Sequence, residues 1–135
     1  MTALTRDRNT PIRTGDEVSH PVAAGVVIHA GALVCLNAAG NAVPGALSLT
    51  LTAIGMAERE VNNVGGLDGA LSIKVRRGVI RLENEPTDLC NRTHIGKTAY
   101  IVDDQTVAAT NGVNTRSAAG KIIDLDADGV WVEIR

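Results

Sequence analysis

Apolar residues fall along the chain in short runs broken by glycine, asparagine, proline and aspartate. Runs of that length between such breakers predict strands joined by tight turns. In VVIHAGALVCLNAAGNAVPG, the β-branched Val26, Val27 and Ile28 lead into Leu33, Val34, Cys35 and Leu36. A turn at Ala38–Asn41 reverses the chain before Val43, and Pro44–Gly45 ends the run. In residues 46–61, Leu47, Leu49 and Leu51 alternate with Ser48, Thr50 and Thr52, the period of a half-buried strand. A short helix over Ala53–Val61 competes there, weakened by Gly55.

Asn62–Gly69 reads as a loop. Leu71–Leu82 reads as a further strand, and its alternation breaks around Gly78, where a bulge or a close backbone approach is expected. Pro86–His94 is irregular, with one helical turn begun at Pro86. Strands follow at Lys97–Val102, Val107–Ala109, Gly120–Leu125 and Val130–Ile134, with turns at Asp103–Gln105 and Asp128–Gly129. The pattern predicts an all-β chain, a small β-barrel or β-sandwich built from hairpins, as a single domain over residues 15–135. Residues 1–14 differ. They carry Arg6, Arg8 and Arg13 against Asp7, show no apolar period and contain Pro11, which predicts an extended N-terminal arm.

A faint internal symmetry runs through this pattern. Gly31 opens ALVCLNAAGNAV and Gly55 follows 24 residues later; Gly96 opens KTAYIVDDQTVAA and Gly120 follows 24 residues later. The two pairs are offset by 65. Related hairpins in one barrel or sandwich would produce this, whereas two units are too few for a solenoid.

Composition narrows the picture. The 135 residues are 44% hydrophobic but include no Phe, one Trp and one Tyr, so Val, Ile, Leu and Ala must fill the core. Trp131 and Tyr100 lie in alternating strands and are expected in the core or at its edge. A net charge of −2 gives no global basic field, which argues against nucleic acid and against an anionic membrane surface. Cys35 and Cys90 form no C-x-x-C motif and read as free buried thiols of a protein made in a reducing cytoplasm. The opening MTALTRDRNTPIRTGDE is too polar for a signal peptide, and no apolar run reaches spanning length.

Motifs that carry chemistry fail on spacing. IGKT, Ile95–Thr98, ends like a phosphate-binding loop, but Asn91 stands where that motif needs glycine, and a strand follows instead of a helix. Asp124, Asp126, Asp128 and Gly129 match the first half of a calcium loop, yet Arg135 occupies the position of the bidentate Glu. GDEVSHPVAAGVVIHAG resembles the opening of a lipoyl or biotinyl carrier domain, without a lysine at a hairpin tip beside methionine. His20, His29 and His94 have neither metal-ligand spacing nor an acidic cluster. The expectation is no enzyme, no metal and no cofactor.

The one concentrated charge feature is KVRRGVIRLENEP, with Lys74, Arg76, Arg77 and Arg81 inside eight positions. It contains no aromatic platform for single-stranded nucleic acid. On one strand Lys74 and Arg76 would point opposite to Arg77 and Arg81. Such two-sided charge suits a protected edge, or arginines that meet carboxylates of another subunit.

The order of segments resembles the capsid decoration, or cement, proteins of tailed bacteriophages. The residues that carry this are the G-D-x-V entry at Gly15, IGMAERE, the strand IKVRRGVIRL with its G-V-aliphatic core, IGKTAYIVDDQTVAATNG, and the closing AAGKIIDLDADGVWVEIR. The resemblance covers Gly15 to the C-terminus and is clearest at Gly96–Asp103 and Gly129–Ile134; Ile80 stands where an aromatic is usual. It implies a non-enzymatic protein on the capsid exterior of the virion, made in the host bacterium. It would bind the major capsid protein and copies of itself, as a dimer or trimer. Contact residues implied are Leu4, Arg6, Arg8, Ile12 and Arg13 of the arm, with Lys74, Arg76, Arg77 and Arg81 of the basic stretch. The other reading is a non-catalytic β-barrel module of a virion that binds carbohydrate or a receptor.

Overall fold

The computed structural model describes residues 2–9 and 15–135. Its strands are β1 Glu17–Pro21, β2 Val27–Ile28, β3 Leu33–Leu36, β4 Ala42–Pro44, β5 Thr52–Ala57, β6 Val61–Asn62, β7 Ser72–Arg76, β8 Gly78–Asn84, β9 Thr98–Ile101, β10 Thr106–Ala108, β11 Ala118–Asp126 and β12 Gly129–Ile134. A single turn of 3-10 helix, Arg92–His94, is the only helical element among the described residues. The fold is all-β. Strands β8 to β12 close into a barrel, ordered β10-β8-β12-β11-β9, while β1, β7, β5, β3 and β4 form a five-stranded sheet in that order. β2 and β6 pair separately.

The weak symmetry of the sequence is a duplication of architecture. Strands β1, β3, β4, β5 and β7 correspond to β8, β9, β10, β11 and β12, with the same neighbours in both halves. The registers agree residue by residue at the offset of 65. Cys35 faces Val43 as Tyr100 faces Ala108, and Val34 faces Gly55 as Ala99 faces Gly120. Both halves carry a bulge at the same place, at Ile54 and at Ala119. Even the parallel closing contact recurs, Val22 to Ala42 and Asn84 to Val107. Over residues 31–57 and 96–122 only Gly31, Thr50, Ala53 and Gly55 find identical counterparts.

One of those identities, Gly55 with Gly120, has a steric cause. A Cβ on Gly55 would collide with the carbonyl oxygen of Arg76, and one on Gly120 with that of Glu133. Arg76 and Glu133 occupy equivalent places, since they pair with Met56 and Lys121. The close approach expected at Gly78 lies at these two glycines instead. Nothing surrounds Gly78, which takes φ 141 where the chain leaves one barrel for the other.

The first barrel stays open for a chemical reason. In the second, the Glu83 amide donates to the Gln105 carbonyl at 2.6 Å and completes the closing ladder. Pro21 stands at the equivalent position and has no N–H to donate, so one bridge alone joins the first barrel's ends.

Two apolar clusters fill the molecule. Val22, Val34, Ala42, Ala57, Ile73 and Val75 line the first barrel. The second cluster takes Ile80, Leu82, Ile101, Val107, Ile122, Val130 and Val132, together with Leu33 and Cys35 from β3. Strand β3 is therefore buried on both faces, which explains its unbroken apolar run. At the positions equivalent to Leu33, Cys35 and Met56, the second barrel has Thr98, Tyr100 and Lys121. Thr98 and Lys121 are exposed, so that face is built for water and the stacking ends at two.

Several sequence expectations are corrected. Residues 46–51 form no strand, and Leu47 and Leu49 are exposed; the alternation is that of a connection running over the surface. Ala53–Val61 is not helical, because residues 52–57 pair with β3 and β7 on either side. Leu71–Leu82 is two strands broken at Arg77 and committed to different barrels. The helical turn lies at Arg92–His94, capped by the Asn91 side chain, and not at Pro86. The last hairpin turns at Ala127 and Asp128, and Gly129 already pairs with Asp126.

The equivalence of the two glycines is testable. Gly55→Ala and Gly120→Ala should each destabilise the protein by about 1–3 kcal/mol through backbone displacement, whereas Gly15→Ala, in open space, should melt like wild type.

Candidate protein-contact surfaces

Residues 2–9 of the arm are exposed and adopt neither helix nor strand; Leu4 is 72% exposed. Arg6 and Arg8 lie on this segment, while Ile12 and Arg13 fall outside the described residues. The arm thus places one apolar and several charged side chains in solvent ahead of β1.

The basic stretch is not one surface. Lys74 and Arg76 project outward from the first barrel, with Val75 buried between them, and Arg81 projects outward from the second. Arg77 lies at the crossing, where its amide donates to the Asp16 carbonyl at 2.8 Å. Neither strand is an edge: β7 lies between β1 and β5, and β8 between β10 and β12. The reading of this stretch as a protected edge is therefore overturned. Two of its arginines meet acids of their own chain, Arg76 with Glu58 at 3.2 Å and Arg81 with Asp128 at 3.9 Å.

Trp131 and Tyr100 are half-buried on outer faces and belong to neither apolar cluster. Alternation along β12 sends Val130 and Val132 into the barrel, so Trp131 must point out. Its indole N–H donates to Asp126 Oδ2 at 2.8 Å, and the Arg81 guanidinium lies 5.8 Å from the ring centroid. The other Asp126 oxygen accepts the amides of Asp128 and Gly129. These bonds, the indole's first, hold the Asp126 carboxyl below the ordinary range. A carboxylate of the apparent cation loop, at its third position, is thereby occupied in shaping a hairpin.

The histidines are dispersed. His29 Nδ1 lies 3.2 Å from Glu60, and His94 Nδ1 accepts the Asn91 amide at 2.9 Å. They occupy equivalent places in the two halves, since the amides of Ala32 and Lys97 donate to their respective carbonyls. Among the described residues no group of His, Cys, Asp and Glu is arranged to hold a metal, and no helix is long and apolar enough to cross a membrane. Cys35 and Cys90 are free and buried, and burial pushes their thiols up to about 12 and about 11.

The most organised surface joins equivalent connections from the two halves, residues 45–51 and 109–117. The Ser117 hydroxyl donates to the Ser48 carbonyl at 2.6 Å and accepts the Leu51 amide at 3.2 Å. Arg116 Nη1 donates to Asp88 Oδ2 at 2.8 Å, and the same oxygen accepts the amide and hydroxyl of Thr110. Two side chains of the 109–117 connection, Thr110 and Arg116, are thus tied to one carboxylate from a separate segment. Leu47, Leu49 and Val113 stand on the two connections, exposed by 62, 61 and 91%, and Leu89, 56% exposed, follows Asp88. The sequence reading placed Leu47 and Leu49 on a half-buried strand and passed over Leu89 and Val113. The repeat held the missing signal, since residues 46–50 align with the Asn- and Gly-rich residues 111–115.

Comparison with protein-family models, curated proteins and solved structures finds no match to this chain.

The Thr110 hydroxyl, then the Thr110 amide and Arg116, hold the Asp88 carboxyl below its ordinary range against a partial cost of burial. A depressed folded value means the stabilisation is present above the unfolded pKa of ~3.9 and is lost as pH falls through the folded value. Wild type should therefore melt above Asp88→Asn at neutral pH, with the gap closing in acid. A gap constant with pH would show that this carboxylate does not control the loops.

Proposed function

We propose that the chain is a non-enzymatic capsid decoration protein of a tailed bacteriophage, bound outside the head across junctions of major capsid protein. The observation that carries this reading is residues 2–9, exposed and without helix or strand, set ahead of a body in which a closed five-stranded barrel packs on an equivalent five-stranded sheet. The segment order from Gly15 to the C-terminus, which resembles that family, supports it. So does the character of the described surface, which offers charged and apolar contact groups.

Such a protein acts by adhesion. Each copy contributes a modest contact, and many copies on one lattice resist outward pressure together. The arm suits this role, because fixing a backbone residue costs about 1–2 kcal/mol and residues 1–14 have few apolar side chains of their own to offset it. Its ordering would draw on a neighbour, through strand-like pairing and through Leu4 and Ile12 against apolar recesses. Arg6, Arg8 and Arg13 would meet acidic rims, as would Lys74 and Arg77 on the body. Copies of the chain would assemble into a dimer or trimer around the junction.

Deleting residues 1–14 should leave the barrels folded and reduce capsid occupancy markedly, measured by co-sedimentation with particles. Arg76→Ala with Arg77→Ala should likewise weaken attachment and leave the melting transition in place. Undiminished decoration by the truncated chain would remove the arm from the mechanism.

One observation favours a carbohydrate-binding module as the second reading, the outward Trp131 beside Arg81, Asp126 and Asp128. A half-exposed indole flanked by polar groups can stack on a sugar, although Arg81 already covers part of the ring. Trp131→Ala should cost about 1–2 kcal/mol, below the roughly 3–5 of a fully buried tryptophan. Glycan-array binding lost in that variant would favour this second reading.

A further inference from the structure

Gly112, Val113 and Asn114 take φ of 62, 60 and 59, three consecutive left-handed residues. Glycine adopts that conformation freely and asparagine tolerates it, but a β-branched residue there is strained. Val113 gains nothing from burial in return, being 91% exposed. The surrounding hydrogen bonds impose the conformation. Asn111 Nδ2 donates to Asn114 Oδ1 at 3.1 Å, the Asn114 amide donates to Asn111 Oδ1 at 3.2 Å, and the Thr115 hydroxyl donates to the Gly112 carbonyl at 2.8 Å. Arg116, held by Asp88, closes the base of the loop. Strain that is maintained by a rigid network, and that displays an apolar side chain in water, points to use outside the chain.

We infer that the end of the molecule formed by residues 45–51 and 109–117, with Val113 at its tip and Leu47, Leu49 and Leu89 beside it, inserts into an apolar, uncharged recess of the shell protein. Three observations choose this occupant. First, the one charged side chain in residues 45–51 and 109–117 is Arg116, which Asp88 neutralises at 2.8 Å, in a chain with 13 basic and 15 acidic residues. The recess must therefore be neutral, since an uncompensated charge buried against this surface would oppose binding. Second, the four exposed side chains present on the order of 400 Å² of largely apolar surface. That lies within the roughly 300–600 Å² of the largest patch on a typical monomer, which is often functional, but is about half of the ~800 Å² per partner of a stable pairwise interface. It is too small to hold a stable dimer and sufficient for one contact among many on a lattice. Third, the loop is fixed before binding, so little ordering cost reduces the small gain.

This inference rests on the capsid reading, and the experiment separates the two. Wild type, Val113→Gly, and Leu47→Ser with Leu49→Ser are co-sedimented with expanded, DNA-free shells of the tailed phage that carries the chain. Leu67→Ser, at an exposed leucine on the β6–β7 connection, is the control. Val113→Gly should melt no lower than wild type, because glycine relieves the left-handed strain. It should nevertheless lose about tenfold or more in affinity, as should the double-leucine variant, while Leu67→Ser binds like wild type. If wild type binds and the loop variants bind equally well, this surface is not the contact, and the capsid reading stands without it. If wild type leaves the shells undecorated, both fall. Sedimentation showing that wild type self-associates and that Val113→Gly abolishes this would make the occupant a second copy, and would overturn the assignment to the shell.

Discussion

Everything in this molecule depends on β3 being buried on both faces. Val34 points into the first barrel, while Leu33 and Cys35 point into the second apolar cluster. A five-stranded barrel of about sixty residues is near the lower limit at which one core can hold a chain folded. Sharing a strand between two cores removes that limit, because the outer face of one barrel becomes the wall of the other. Cys35 illustrates the consequence. Its thiol is raised to about 12 by burial alone, so it serves as a small apolar side chain and not as a nucleophile.

The shared strand also explains why two copies of one architecture differ in chemistry. The first half has apolar residues on the outer face of β3 to β5, and the second has Thr98, Tyr100 and Lys121 in the same places. If both faces had remained apolar, a further chain could add by the same contact, as heterologous interfaces do. Closure of the second barrel by the Glu83 amide removes its strand edges as well. Pro21 leaves the first barrel with a single closing bridge, and a proline without an N–H is itself a poor template for an added strand.

Function, on the proposed reading, is distributed over surfaces that the fold leaves free. The arm offers reach, the outward arginines offer charge, and the loop end offers an apolar, uncharged tip. None needs a catalytic geometry. The asymmetry between halves matters here too. Duplication places the connections 45–51 and 109–117 together, and Ser117 ties one to the other, so a surface composed of both repeats exists only because the repeats are stacked.

How much of this was legible follows from particular residues. The period-two runs, the turn at residues 38–41 and the two glycine pairs were enough for an all-β chain of related hairpins, because strand alternation and positive-φ turns leave local marks. Residues 2–9 form neither helix nor strand, in keeping with their lack of an apolar period, which is a local property. Three features were not legible. Leu47–Leu51 alternates like a strand but finds no partner, and the available hydrogen-bonding edges are a property of the whole sheet. Arg76 and Arg81 look like one basic stretch, yet the break at Arg77 sends them to separate barrels, where each meets an acid distant in sequence. Leu33 and Thr98 are equivalent in backbone and opposite in burial, because burial depends on what the other barrel lays across that face. The sequence by itself determined where strands and turns fall; long-range packing decided which strands became neighbours, which leucines met water and which surface was left to a partner.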